Sequence, residues 1–211
     1  MDISIVIPCY NLELYIERCL KTILAQDYNS GLYEIIVIID SCTDNTEKIV
    51  RQTLTGRVQD KVITVKYNRA GLSRNCGLNI ATGKYVWFID GDDYLVNPQA
   101  FSKLVDSMEK TKASMVYLKN FISEKYVAEN WAAWRFFYLR SFIGNIRFSD
   151  ISIDEDIEFF VNIGKQNGFR AIKIDDVLYH HTFPRAGSIV TEKYMKIKNL
   201  SLIHISEPTR H

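Results

Sequence analysis

Three aspartates follow directly on a run of apolar and aromatic residues, and this junction constrains the fold most. The run, Tyr85-Val86-Trp87-Phe88-Ile89, predicts a buried strand and is followed by Asp90-Gly91-Asp92-Asp93. Carboxylates that cluster where a buried strand ends need a cation, a ligand or water to offset their repulsion. In open parallel sheets, ligands bind outside the carboxyl ends of the strands. The junction therefore indicates a divalent metal site.

An ordinary acidic turn is the alternative for these aspartates. Asp and Gly are common turn residues, and a helix is predicted to start near Asn97-Pro98. A calcium-binding EF-hand does not fit, because the loop lacks the Asp-x-Asp-x-Asp/Asn-Gly order and the closing Glu. Features elsewhere in the sequence are needed to distinguish an acidic turn from a metal site.

Predicted strands alternate with predicted helices along the first half of the chain. Most of the strands are continuous apolar runs, which is typical of strands covered on both faces. The predicted strands are residues 3–8, 34–39, 62–65, 84–89 and 114–118. The predicted helices lie within residues 11–24, 46–54, 71–81 and 98–110. This alternation predicts an α/β fold with a mostly parallel central sheet and helices on both faces.

Polar residues gather after these strands, at Tyr10-Asn11, Asp40, Arg74-Asn75 and Asp90 to Asp92. A doubly wound sheet brings such loops to one edge, where a phosphate-bearing nucleotide is the natural ligand. The phosphate-binding patterns G-x-G-x-x-G and G-x-x-x-x-G-K-[ST] are both absent from the sequence. A diphosphate would therefore be held by a metal ion and by side chains such as Arg74.

Several spaced motifs together resemble the family 2 glycosyltransferases of the GT-A fold. They agree with that family in order and spacing, strongly over about the first 120 residues and more loosely to about Val190. The matching stretches are residues 4–11, 40–46, 71–78, 81–85 and 88–93. The resemblance implies a Rossmann-like α/β fold of GT-A type that binds a nucleotide sugar.

The resemblance also implies how the chain is organised. Residues 1–120 are expected to form the nucleotide-sugar-binding half of one GT-A domain, and residues 121–199 its acceptor-binding and catalytic-base half. Residues 200–211 are expected to be a non-native tail, because Leu200 to Arg210 resembles a translated sequencing-library adaptor. The native C-terminus is therefore expected to be missing.

The donor-side residues follow from the resemblance position by position. Pro8, Tyr10 and Asn11 match the loop that flanks the nucleoside, Asp40 matches the acid that hydrogen-bonds uracil or another base, and Arg74 matches an arginine that contacts base or phosphate. Structural roles are the alternatives: Pro8 ends a strand, Asn11 is a plausible helix N-cap, Asp40 suits a turn, and Arg74 suits a solvated helix face.

One departure from the family pattern lies in the loop after the second strand. The usual Asp-Asp-Gly-Ser-x-Asp has Ile39 in place of its first acid, and Ser41-Cys42 in place of Gly-Ser, while Asp40 keeps the second acid. The change puts the identity of the base in doubt more than nucleotide binding itself.

Asp90 and Asp92 match the DxD pair of the family, with Asp93 as an outer or alternative ligand. In that role Asp90 faces the ribose or a metal-bound water, and Asp92 ligates Mn²⁺ or Mg²⁺ beside the two phosphates. Carboxylate, phosphate and water oxygens suit such hard cations. The expected contribution of the ion is to neutralise charge on the departing nucleoside diphosphate.

A second acidic cluster, Asp154-Glu155-Asp156, precedes an apolar pattern at helical spacing. An acidic first turn that favours the helix dipole is the structural alternative. The resemblance implies that Asp156 is the general base, Glu155 its acceptor-side neighbour and Asp154 a helix cap. One base and one attacking face imply inversion, from an α-linked donor to a β-linked product.

Two further stretches resemble acceptor and lid segments of the family. Residues 131–138 resemble an aromatic and basic acceptor lining, in which Trp134 is the expected contact; a core helix with aromatic packing is the alternative. Residues 179–188 resemble a segment that closes over the diphosphate, where Arg185 is the expected phosphate contact. At most one of His180 and His181 would reach the metal, because neighbouring side chains on extended backbone point in opposite directions.

Composition agrees with one α/β core. The chain has 211 residues, is 47% hydrophobic and carries a net charge of +1, which gives no indication of a nucleic-acid partner. Its four cysteines lack paired zinc-site spacing and are expected to be free thiols in a reducing cytosol. No apolar run of 18 residues is present, so the expected location is the cytoplasm, with peripheral attachment to the inner membrane face left open.

The sequence therefore predicts an inverting, metal-dependent glycosyltransferase that moves a sugar from a nucleotide donor, expected to be UDP-linked, to a hydroxyl of a glycan, glycolipid or lipid-linked glycan. A sugar nucleotidyltransferase is disfavoured, because its glycine-rich N-terminal phosphate loop is absent. A non-catalytic nucleotide-sugar-binding relative or an inactive fragment is the other alternative. Retention of Asp90, Asp92 and Asp156 argues against evolved inactivity.

Overall fold

The computed structural model describes residues 1–123, 131–151 and 154–183. Its strands are β1 (Ile3–Cys9), β2 (Tyr33–Asp40), β3 (Lys61–Val65), β4 (Tyr85–Phe88), β5 (Tyr94–Leu95), β6 (Met115–Leu118), β7 (Ile122–Ser123), β8 (Phe136–Leu139), β9 (Ala171–Ile174) and β10 (Tyr179–His181). Its helices are α1 (Ile16–Leu24), α2 (Thr46–Thr53), α3 (Ala70–Ile80), α4 (Ala100–Thr111), α5 (Arg140–Ile143) and α6 (Glu155–Gly164). The predicted alternation of strands and helices is confirmed.

The central sheet has seven strands in the order β3-β2-β1-β4-β8-β6-β9. Strand β1 pairs in parallel with β2 and β4, whereas β8 runs antiparallel between β4 and β6. The predicted α/β class with a mostly parallel sheet is therefore confirmed. Strands β8 and β9 come from the predicted acceptor half, so both predicted halves contribute to one sheet.

The sheet is covered on both faces, as its continuous apolar strands predict. Alternate residues of β1 point to opposite faces because the side-chain period of a strand is two. Ile5 and Ile7 pack in one cluster with residues of α1 and α4, and Val6 packs in the other with Phe88 and Phe159. Every residue of β2 is buried, including Asp40 at its carboxyl end. The two layers fix the ends of the parallel strands at one edge.

A buried acid fixes the turn that leads into β4. Glu34 is 1% exposed and accepts hydrogen bonds from the Ser4 hydroxyl and from the backbone and hydroxyl of Thr82, while Lys61 forms an ion pair with it. The Ser4 hydroxyl in turn accepts from the Gly83 N–H. Burial opposes ionisation of Glu34, but these donors together lower its pKa. The start of β4 is thereby held against β1 and β2.

Two local predictions are wrong. The helix expected from Asn11 begins at Ile16, and Asn11 has a φ of 50°, so it is not the N-cap. The turn before Ile16 instead bonds to the start of α2, where the Thr46 hydroxyl accepts from the Leu12 N–H. The alternative of a core helix for the aromatic segment is also wrong, because residues 136–139 form β8. β-Branched and aromatic residues favour strands once a sheet can pair with them.

A small second sheet, in the order β5-β10-β7, stands beside the carboxyl end of β4. Strand β10 pairs antiparallel with β5 and parallel with β7. This sheet brings residues near position 180 against the loop at positions 90–93. Within the described residues, none of the helices has the length and apolar character needed to cross a membrane.

Candidate active site

The loop that follows β4 is held in place by Asp93. Its carboxylate is fully buried, and it accepts hydrogen bonds from the Tyr179 hydroxyl and the Thr182 N–H, both at 2.7 Å. His181 Nδ1 lies 3.3 Å from the same carboxylate. Burial raises the pKa of Asp93 to about 7, although His181 opposes the shift. Asp93 therefore anchors the loop to β10; its expected role as an outer or alternative metal ligand does not agree with this burial.

Asp90 and Asp92 are the aspartates of the loop that stay partly exposed. The Asp90 side chain is 28% exposed, and its Oδ1 accepts from Arg74 Nη2 at 3.0 Å. Gly91 between them packs tightly, since a Cβ at this position would lie 2.8 Å from the Leu12 side chain. The position between the two carboxylates therefore leaves no room for a side chain larger than that of glycine.

These carboxylates fit a cation whose coordination is completed by a ligand. Among the described residues, no group of three or more His, Cys, Asp and Glu side chains is arranged to hold a metal ion alone. Mg²⁺ and similar ions are commonly bound through one or two carboxylates together with substrate phosphates and water. Asp90 and Asp92 satisfy that requirement, and they are the residues that would hold the ion.

Arg74 joins this loop to the second acidic cluster. The residue is 4% exposed and lies on α3, whose first turns pack beneath the carboxyl ends of the strands. Its Nη1 donates to Glu155 at 3.0 Å and to Asp156 at 2.9 Å, while its Nη2 donates to Asp90. Burial opposes the positive charge, but Asp156, Asp90 and Glu155 together raise the pKa of the guanidinium. The Arg74 guanidinium thus forms ion pairs with three carboxylates that come from two distant parts of the chain.

Asp156 lies in the first turn of α6 with its side chain 20% exposed. Its Oδ1 accepts from Arg74, and its Oδ2 accepts from the Ala133 N–H at 3.1 Å. Burial raises the pKa of Asp156 to about 6, with Arg74 opposing the shift and Glu155 adding to it. A positioned carboxylate with a raised pKa suits proton abstraction near neutral pH.

Three predicted roles need correction at this cluster. The Arg74 side chain is 5% exposed and its guanidinium pairs with three carboxylates, which agrees neither with a solvated helix face nor with an open contact to base or phosphate. Glu155, 13% exposed, uses its carboxylate to pair with Arg74. Asp154 occupies the N-cap position of α6, but it has a φ of 69° and its side chain caps no backbone N–H.

Asp40 also differs from its predicted role. The residue is 4% exposed, and its carboxylate accepts from the backbone N–H groups of Tyr67, Asn68 and Arg69 and from the Ser73 hydroxyl. Burial opposes its ionisation, but these donors lower its pKa. A carboxylate has about four lone-pair sites, so little capacity remains for a base. Asp40 fixes the segment between β3 and α3 and is not free to bind a nucleobase.

The loop after β1 keeps an open surface at the same edge of the sheet. The Tyr10 side chain is 57% exposed, and Pro8 is half-buried at the end of β1. Asn11 Oδ1 accepts from the Thr43 N–H at 2.8 Å, which ties this loop to the one after β2. Tyr10 is therefore available to a ligand, whereas Asn11 joins two loops.

Arg18 also holds the loop after β4, a role that the sequence alone does not indicate. Its guanidinium stacks 4.2 Å from the centre of the Tyr94 ring, and its Nη2 donates to the Asp92 carbonyl and to the Thr182 hydroxyl, both at 3.0 Å. The Thr182 hydroxyl donates to the same carbonyl at 2.8 Å. Arg18 lies on the exposed face of α1, so its spacing resembles that of any solvated helix residue. Only the folded positions of α1 and β10 reveal that it clamps the loop at Asp92.

The expected acceptor contact, Trp134, is buried. Its side chain is 1% exposed, and its ring stacks on Tyr179 with centroids 4.4 Å apart and planes 3° apart. Its carbonyl accepts from the Trp87 indole N–H. Trp134 is a core residue, so its predicted acceptor role is wrong for the described structure. Arg185, the predicted phosphate contact, lies outside the described residues.

Comparisons with known proteins find glycosyltransferases of similar sequence. WfaP of Escherichia coli, a UDP-Glc:alpha-D-GlcNAc-diphosphoundecaprenol beta-1,3-glucosyltransferase, is 34% identical over 128 residues, 59% of this chain and 48% of WfaP. TarS of Staphylococcus aureus, a poly(ribitol-phosphate) beta-N-acetylglucosaminyltransferase, is 35% identical over 97 residues, 45% of this chain and 17% of TarS. The chain thus spans less than half the length of these two curated relatives.

Solved structures show the same fold. The crystal structure of TarS residues 1–349 with UDP-GlcNAc matches with a TM-score of 0.80 at 20% identity and covers 100% of this chain and 68% of that one. The mannosyltransferase PcManGT of Pyrobaculum calidifontis with GDP-Man and Mn²⁺ matches with a TM-score of 0.72 at 17% identity and covers 99% and 65%. The predicted GT-A fold is confirmed.

A family model decides the assignment. The model described as "Glycosyl transferase family 2" matches residues 4–178, which include the loop after β1, the Asp90 loop, Arg74 and the start of α6. The sequence motifs and the sheet thus agree with one family over most of the chain. The chain belongs to glycosyl transferase family 2.

Proposed function

We propose that this chain transfers a sugar from a nucleoside diphosphate donor, a UDP-sugar, to a hydroxyl acceptor with inversion at the anomeric carbon. The observation that carries the proposal is the link through Arg74, which holds Asp90 of the donor-side loop and Asp156 of α6 on one guanidinium. A donor-binding carboxylate and a candidate base are thereby fixed at one edge of the sheet. Family membership supports the same reaction class.

On the donor side, Asp90 and Asp92 would hold Mn²⁺ or Mg²⁺ next to the diphosphate. When bound, the ion supplies Lewis-acid stabilisation of the negative charge on the leaving group. Tyr10 offers an exposed ring to the nucleoside, and Pro8 and Asn11 shape the loop that carries it. Arg185 remains a proposed phosphate contact on the basis of the sequence alone.

On the acceptor side, Asp156 performs the proton transfer. One carboxylate oxygen takes the proton of the acceptor hydroxyl while that oxygen forms a bond to the anomeric carbon. The bond from the anomeric carbon to the diphosphate oxygen breaks in the same displacement, and the electron pair leaves with the nucleoside diphosphate. Attack opposite the leaving group converts an α-linked donor into a β-linked product. Arg74 and Ala133 keep the carboxylate of Asp156 oriented during this step.

The acceptor class is a glycan or a lipid-linked glycan, and peripheral membrane association is part of the proposal. Two observations on relatives support it: the name of WfaP specifies a diphosphoundecaprenol-linked sugar, and that of TarS a poly(ribitol-phosphate). The proposal for the whole protein's substrates rests on these names and on the site described above.

We expect Asp92→Ala to abolish metal-dependent binding of the donor nucleotide. Calorimetric titration of UDP, GDP, CDP and dTDP, each with and without Mn²⁺, should show one nucleotide whose affinity rises with the metal in the wild-type chain. Loss of one of two carboxylate ligands should remove that gain, at least about tenfold in affinity. The control is Asp106→Ala, because Asp106 is an exposed acid on α4 that pairs with Lys110 at the surface. Equal metal-dependent binding by wild type and Asp92→Ala would contradict the donor site.

Arg18→Ala should weaken the same metal-dependent binding by about fivefold, because the Asp92 carbonyl loses a charged donor worth about 1 kcal/mol at an exposed position. Asp92 itself remains, so binding should fall without disappearing. Lys21→Ala is the matched control, since Lys21 lies on the same helix and pairs with Glu17. Unchanged nucleotide affinity in Arg18→Ala would show that the clamp does not position the loop.

The rate of donor consumption should fall on acidification through about pH 6. The pKa of Asp156 is raised to about 6, and a general base acts only when ionised, so activity is present above this pH and lost below it. The profile should be recorded from pH 5 to pH 8 by release of nucleoside diphosphate, with circular dichroism to confirm folding at each pH. A flat profile over this range would argue against Asp156 as the base.

A further inference from the structure

One side chain, Cys42, holds the backbone on both sides of the exposed Tyr10. The Cys42 thiol donates to the Cys9 carbonyl at 3.3 Å, and its sulfur accepts from the Asn11 N–H, also at 3.3 Å. Cys9 and Asn11 are the two chain neighbours of Tyr10. The position of the Tyr10 backbone is therefore set by a thiol from the loop after β2.

The same loop holds the residues that follow Tyr10. Asn11 has a φ of 50°, and its side-chain oxygen accepts from the Thr43 N–H at 2.8 Å. The Asp44 carboxylate accepts from the Glu13 N–H at 3.0 Å. Left-handed backbone at a residue other than glycine costs free energy and persists only where surrounding contacts impose it. The loop after β2 therefore imposes the conformation of the loop after β1.

The chemistry of the Cys42 thiol suits this bridge. A thiol donates one hydrogen bond and accepts another only while it is protonated. Burial raises the pKa of Cys42, with the Asn11 N–H opposing the shift and Asp44 adding to it, so the thiol keeps its proton at neutral pH. Cys42 stands where the usual family pattern has serine. A serine hydroxyl can also donate and accept, whereas alanine can do neither.

We infer that Cys42 is a positioning residue for the nucleoside, because its thiol holds the Tyr10 ring in the place where the base of the donor would stack. The inference rests on the proposed transferase function and gives Cys42 a part in donor binding through Tyr10. Stacking between a base and an aromatic ring is favourable when the ring is already in place. A loop that has lost one of its anchors must be ordered on binding, which lowers the affinity.

A double-mutant cycle on the full chain tests this assignment by calorimetric titration of UDP with Mn²⁺. We expect Cys42→Ala to weaken UDP binding about threefold and Tyr10→Ala about tenfold. In the Tyr10→Ala background, Cys42→Ala should cause no further loss, because the ring that it positions is gone. Cys42→Ser should bind UDP within about twofold of the wild type, since the hydroxyl can form both bonds. Cys76→Ala, which removes a half-buried thiol on α3, is the control.

Inorganic pyrophosphate with Mn²⁺ separates this role from that of the metal-binding carboxylates. Pyrophosphate has no base, so Cys42→Ala should bind it as the wild type does, whereas Asp92→Ala should lose this binding.

Three results would overturn the inference while the donor site stands: wild-type UDP affinity in Cys42→Ala, losses that add in the double variant, or equal loss of UDP and pyrophosphate binding in a folded Cys42→Ala. Failure of the folded wild-type chain to bind UDP would contradict the proposed function, and the inference would fall with it. Circular dichroism of each variant checks that it is folded.

Discussion

Asp156→Asn should reduce sugar transfer by about 10³-fold while leaving nucleotide affinity within about twofold of the wild type, because only the proton acceptor is lost. The amide keeps an oxygen for Arg74 or for the Ala133 N–H, so the start of α6 should retain its position. Release of nucleoside diphosphate from the donor measures transfer, and calorimetry with Mn²⁺ measures binding.

The control for this substitution lies two residues further along α6. Glu158→Gln removes another first-turn carboxylate, one that is exposed and bonded to Ser149, and it should leave transfer nearly unchanged. Transfer by Asp156→Asn at the wild-type rate would eliminate Asp156 as the base. Equal loss of donor binding in Asp156→Asn and Asp92→Ala would contradict the division between a base and a metal ligand.

Arg74→Met should cost about 3 kcal/mol of the free energy of unfolding at pH 7.5, because removal of one partner from a buried ion cluster leaves the remaining charges uncompensated. Asp90, Glu155 and Asp156 would then repel one another with side chains no more than 28% exposed. Urea denaturation followed by circular dichroism measures the loss. Donor binding and transfer should fall together, since the same guanidinium orients Asp90 and Asp156.

The pH dependence distinguishes charge repulsion from loss of packing. The pKa of Asp156 is already raised to about 6, so acidification to pH 5 protonates this carboxyl and removes part of the repulsion. The difference from wild type should therefore shrink at pH 5. Loss of packing alone would be independent of pH. Arg51→Met is the control, because Arg51 pairs with Glu47 on the exposed face of α2 and should change stability by about 0.5 kcal/mol or less. A similarly small change in Arg74→Met would refute the charge-balancing role.

The parallel core could be predicted from the sequence because local patterns of apolar residues indicate its strands and helices. Strands β1 and β2 lie within one residue of their predicted bounds at each end, since each is a continuous apolar run that ends at a polar or turn residue. The Asp90 loop and the Asp156 cluster were also recognised, because acids adjoining apolar runs are conspicuous. The position of the Asp90 loop at the edge of the sheet follows from the α/β order.

What the sequence did not predict depends on contacts between distant segments. Asp93 looks equivalent to Asp92, and only β10, some 86 residues later, shows that it is buried against Tyr179. Arg74 resembles a surface arginine until α6 supplies two carboxylates. The spacing of Trp131 and Trp134 does not tell which of the two side chains is buried. Their burial follows from the pairing of β8 with β4 and β6.

The central claim is that this site catalyses inverting transfer from a nucleotide sugar. It is tested most directly by NMR of the anomeric proton while the full chain, supplied with Mg²⁺, consumes UDP-glucose or UDP-N-acetylglucosamine in D₂O, with water as the acceptor. We predict that the β-anomer of the free sugar appears first and that Asp156→Asn releases none. Initial release of the α-anomer, or no consumption of either donor by a folded chain that binds UDP, would contradict it.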